Sequence, residues 1–153
     1  MLKSFIFSLL LLTANAGFGQ TIYPFQDIKL EKTEDYKDAE PFALMAAKYI
    51  IQTPFKKDDA NRKHAIQFLT NWISGTKEYI FRISGMAKDL RDDADLFALF
   101  IAAMAKFSIE NKSASANGRL VDIASSKMVL EYCDNPVNNF SLKKKMRKKL
   151  EIN

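Results

Sequence analysis

One cysteine, one histidine, five glycines and four prolines are spread over 153 residues. A lone cysteine, Cys133, excludes an intramolecular disulfide, so the fold must be held by its core and not by covalent staples. One histidine and one cysteine leave too few ligands for an ordinary zinc site. No glycine-rich phosphate loop, dinucleotide fingerprint or paired-cysteine motif is present, so no cofactor is implied. Beyond the first twenty residues the longest apolar stretch, Leu96 to Ala105, is about half the roughly 20 residues that a membrane-spanning helix needs. What is present is 48% hydrophobic and 27% charged residues. That balance is ordinary for one globular domain, and the length is enough to bury a sizeable core.

The first residues follow a different pattern. Lys3 precedes the apolar stretch Phe5–Leu12, and Ala14-Asn15-Ala16 gives the small-x-small spacing that a signal peptidase accepts. This is the pattern of a secretory signal peptide over residues 1–19, with cleavage expected after Ala16 or Gly19. Its apolar run is too short for a transmembrane anchor. The expectation is an exported protein, periplasmic or secreted.

Charge is unevenly placed. The formal net charge is +5, yet residues 20–139 hold 16 basic and 17 acidic side chains. The excess sits in residues 140–153, where Lys143, Lys144, Lys145, Arg147, Lys148 and Lys149 face only Glu151. The body has no composition-level basic face for nucleic acid, and export makes nucleic acid a poor partner for the tail.

Helical periodicity dominates the rest. Residues 20–36, with Pro24 and no sustained period, read as an irregular lead-in. A helix is predicted from Asp38, with Pro41 in its first turn and Pro54 ending it. A second, capped by Asp58 or Asp59, carries Ala65, Phe68, Leu69 and Trp72 to a stop at Gly75. Residues 76–83 are β-branched and aromatic and read as extended. A third helix from Asp92–Asp95 is apolar nearly all round and belongs at the centre of the core. A fourth runs to Tyr132 on Leu120, Val121, Ala124 and Met128, and Asp134-Asn135-Pro136 ends it. Leu142, Met146 and Leu150 stripe a last, basic helix. The fold class is all-α, an antiparallel helical bundle or stacked helical hairpins, with the helical domain over 37–139 and the basic tail over 140–153.

Three stretches carry a resemblance: Trp72-Ile73-Ser74-Gly75-Thr76-Lys77-Glu78-Tyr79-Ile80-Phe81, Ala102-Ala103-Met104-Ala105-Lys106-Phe107, and Glu131-Tyr132-Cys133-Asp134-Asn135-Pro136. Over roughly residues 42–140 the chain resembles small exported all-helical bacterial proteins of unknown function. The resemblance implies a helical fold and carries over no site residues.

The chemistry-bearing residues are few. His64 lies on a polar stretch of the second helix and reads as a solvated histidine. Cys133, at a helix C-terminus where the dipole disfavours thiolate, reads as a packing residue. Asp89, Asp92, Asp93 and Asp95 have neither the turn glycine nor the distal Glu of a calcium loop and read as helix-capping acids. No catalytic set is recognisable. The expected function is an exported, non-catalytic binding or structural module of the bacterial cell envelope. Its expected contact surface is Lys143, Lys144, Lys145, Arg147, Lys148 and Lys149, and the partner an acidic protein, polysaccharide or anionic lipid surface. Two alternatives stand beside it: a peripheral polyanion-binding protein acting through the tail, and a small carboxylate-dependent hydrolase or lyase with two converging acids.

Overall fold

The computed structural model describes residues 23–83 and 85–151. The leader-like stretch and both cleavage positions lie outside the described residues. Seven α-helices follow in order: α1 (Thr33–Asp38), α2 (Glu40–Gln52), α3 (Ala60–Gly75), α4 (Met86–Asp89), α5 (Ala94–Glu110), α6 (Gly118–Asp134) and α7 (Lys144–Glu151). Among the described residues there is no strand, and the protein is all-helical.

The helix starts are set by short polar side chains. Asp59 accepts from the Arg62 amide at 3.0 Å, Asp93 from Leu96 at 3.2 Å and Asn117 from Leu120 at 3.2 Å. Each satisfies one of the amide donors left free at a helix N-terminus. Thr53, held extended ahead of Pro54, ends α2.

α2 and α3 form one hairpin, α5 and α6 the other. The Trp72 indole near the end of α3 donates to the Tyr36 carbonyl just ahead of α2 at 2.7 Å, so those two helices run in opposite senses. The second hairpin packs through α5 onto α2. α5 is the innermost element: Leu96, Leu99, Phe100, Met104 and Ile109 are buried, as are Ala102, Ala103 and Ala105, whose small side chains allow close approach. α6 seats a narrower stripe than its apolar content predicts. Val121, Ser125, Val129 and Tyr132 face inward, while Leu120 and Ile123 stay exposed. Ser125 fits because it is small and its hydroxyl donates to the Val121 carbonyl at 2.7 Å.

The lead-in is more ordered than an irregular segment. Pro24–Gln26 form a 3-10 turn, and Phe25 is buried with its ring stacked 5.8 Å from Phe68. α1 follows, five residues ahead of the predicted helix start. It has no apolar period to announce it. Asp35 holds its start by accepting from the Glu31 and Lys32 amides at 2.9 and 2.8 Å. Residues 76–83 lie outside any helix. Without a neighbouring strand, they place Tyr79 and Phe81 about Trp72 at 5.8 and 6.0 Å.

Candidate functional site on the last helix

α7 is too short and too highly charged to stand alone in water. It is seated by Leu150, which is 2% exposed, and by the partly buried Leu142 and Met146. Phe140 anchors the approach, edge-on to Phe55 at 5.1 Å and to Tyr132 at 6.0 Å.

The six cations of the tail divide into two sets. Lys143 reaches Asp93 at 3.5 Å, Lys149 reaches Asp89 at 3.0 Å, and Arg147 grips Asp134 through both terminal nitrogens. Arg147 also lies 3.8 Å from Glu151. The Arg147 guanidinium holds the Asp134 carboxyl below its usual range. This set fastens the helix to the ends of α4, α5 and α6. Lys144, Lys145 and Lys148 are exposed and make no ion pair among the described residues. Residues 144 and 148 are one turn apart and 145 is adjacent, so these three share the outward face. The predicted contact surface is therefore half clamp and half free face. The clamp could not be read from the sequence, because its acids come from distant parts of the chain.

The acidic cluster divides in the same way. Asp93 caps α5 and receives Lys143, Asp89 receives Lys149, and among the described residues no three His, Cys, Asp or Glu side chains converge on a metal position.

His64 is partly buried, and its side chain meets a partner at the exposed surface. Its Nε2 meets the Gln26 side-chain amide, because the 3-10 turn brings residue 26 over α3. The two line a polar cleft of about 630 Å³ with Gln67 and Asn71, and no carboxylate or nucleophile is hydrogen-bonded to the imidazole. Cys133 is partly buried, and burial pushes its thiol up to about 11. That is the opposite of what a nucleophilic thiolate needs. Among the described residues Asp122 is the one carboxyl held above its ordinary range, by burial, and no second acid contributes to that shift. Chemistry on paired carboxylates needs two with separated pKa values.

One residue of consequence was missed. Arg62 is 4% exposed, its guanidinium 5.4 Å from the Phe55 ring centroid and 5.8 Å from that of Tyr132, and its Nη1 has no hydrogen-bond partner. A signal was available: Arg62 lies three and seven residues before Ala65 and Leu69, on the apolar stripe of α3.

The fold and this surface define an all-helical module with a docked basic helix. No protein-family model, no curated protein and no solved structure matches the chain. No helix among the described residues is long and apolar enough to cross a membrane.

Proposed function

We propose that the chain is an exported, non-catalytic helical module of the bacterial cell envelope that contacts an acidic partner surface through Lys144, Lys145 and Lys148. One observation carries the reading. Three cations of the tail, Lys143, Arg147 and Lys149, are consumed in fastening α7 to the body, while three more share its outward face with no acid among the described residues to neutralise them. A helix that needed charge only to dock would not need the second set. Export is supported by Lys3, the apolar stretch Phe5–Leu12 and Ala14-Asn15-Ala16.

The partner chemistry is anionic, and each exposed lysine near an anionic membrane contributes about 1 kcal/mol within a Debye length of roughly 8 Å. α7 has no exposed apolar side chain to insert, so contact by charge alone is favoured over burial in a bilayer.

Deleting the tail is a poor test, because Phe140 and Leu150 leave with it and uncover the core. The clean variant is K144E/K145E/K148E. Sedimentation with phosphatidylglycerol vesicles, and capture of partners from envelope extract, should lose a salt-sensitive interaction in this variant while the thermal midpoint stays within a few degrees. Unchanged capture and sedimentation would reject the surface. Turnover of an envelope substrate abolished by Asp122→Asn would reject the non-catalytic reading.

A further inference from the structure

We propose that the wedge between α3 and α5 is a binding site for one long-chain carboxylic acid, its hydrocarbon tail in the cavity and its carboxylate on Arg91. The site is separate from the α7 face, and the two proposals stand or fall independently.

The cavity measures about 720 Å³, inside the roughly 300–1,000 Å³ of small-molecule sites. It arises because α3 and α5 both pack on α2 and touch each other much less, with Ile50 of α2 closing the floor. Ala94 and Ala98 sit one turn apart on the α5 wall, where larger residues would fill the gap. The other walls are Ile66, Ile73, Phe81, Ile83 and Phe97, each only partly buried. An apolar occupant would take all five out of water.

The hydrogen-bonding inventory then selects the occupant. Among the described residues the lining hydroxyls are Thr70 and Ser74, and both donate within their own helix: Thr70 Oγ1 to the Ile66 carbonyl and Ser74 Oγ to the Thr70 carbonyl, each at 2.8 Å. An extended polypeptide laid in the wedge would bring more backbone amides and carbonyls than these few polar groups could satisfy. A hydrocarbon chain brings none. Among the described residues Arg91 is the single ionisable one in the lining; it is exposed and makes no ion pair there. No carboxylate of the described residues lines the cavity. A guanidinium at the edge of a neutral apolar wedge matches a carboxylate head group, which it can hold through two parallel N–H donors.

The test is calorimetric titration of the full chain with laurate below its micelle concentration, with decanoate and dodecanol as comparators. One saturable equivalent is expected, with affinity rising about fourfold per methylene between decanoate and laurate. Ala98→Leu, which fills the wedge without adding a polar group, should weaken laurate at least about tenfold while leaving thermal unfolding cooperative. Arg91→Gln, an exposed change that leaves the core intact, should weaken laurate about threefold and leave dodecanol unchanged. Non-saturable uptake, laurate binding as tight in Ala98→Leu as in the native chain, or equal loss of acid and alcohol in Arg91→Gln would each overturn the proposal. So would a dimer in sedimentation velocity that laurate does not dissociate, because a second copy would then cover the face.

Discussion

Arg62 brings a guanidinium into the core, where it makes no ion pair among the described residues. Its stem fills space between Phe55 and Tyr132, and its charge lies over both rings. A desolvated cation over an aromatic face gains about 2 kcal/mol, while desolvating the ion costs several. The volume of the side chain is therefore the larger stabilising contribution. Arg62→Ala should cost ~2 kcal/mol or more, through a hole beneath the 53–59 connection. Arg62→Met, which keeps most of the volume and drops the charge, should cost under ~1 kcal/mol. Urea denaturation of both variants separates the two contributions. A methionine variant as unstable as the alanine variant would assign the stabilisation to the charge.

At the scale of the element, α7 poses a question of competing magnitudes. Its three ion pairs to the body involve partly exposed side chains, 31–73% accessible on the cation side, and each contributes less than about 1 kcal/mol. Leu150 is almost wholly buried, and cutting such a residue to alanine costs about 2–5 kcal/mol. Burial should win. Leu150→Ala is expected to abolish amide-exchange protection over residues 144–151 while the α5–α6 hairpin keeps its own. Protection retained in α7 would mean that the ion pairs hold the helix. They orient it in any case, because Asp89, Asp93 and Asp134 fix which of its faces turns to solvent.

Across the whole molecule, one partly buried thiol and two hydrogen-bonded phenols make stability sensitive to alkali. Burial, and then the carboxylates of Asp59 and Glu40 that accept their hydroxyls, push Tyr49 and Tyr79 up to about 12. Cys133 is pushed to about 11 by burial. In the unfolded chain the thiol releases its proton near pH 9 and the phenols near pH 10. Between those values and the native ones the folded protein binds more protons than the unfolded chain, so stability falls as pH rises. The thermal midpoint, followed by circular dichroism, should drop from about pH 9 to pH 11, and Tyr79→Phe should flatten the slope. An unaltered slope in that variant would place the loss elsewhere.

Much of this scaffold was legible in the sequence, for reasons that are local. α5 is apolar nearly all round and had only one place to go. Asp59 and Asp93 stand immediately before helical periods, and Pro54 and Pro136 follow them. What was not legible depends on pieces brought together by folding. Phe25 is buried because α3 offers Phe68, about forty residues on. The α7 cations are sorted by acids on α4, α5 and α6. The wedge beside Arg91 is a gap between helices, and a gap leaves no mark on the sequence beyond two alanines one turn apart.

The packing of Trp72 has an optical consequence. It is the only tryptophan, it is fully buried, and its N–H is bonded to the Tyr36 carbonyl. Its fluorescence therefore reads the seating of the N-terminal arm against the hairpin. Phe81 lies 6.0 Å from the same indole and also walls the wedge, so an occupant that displaced this ring would alter the emission. The chain thus carries an intrinsic, label-free reporter between its N-terminal arm and the apolar wedge beside Arg91.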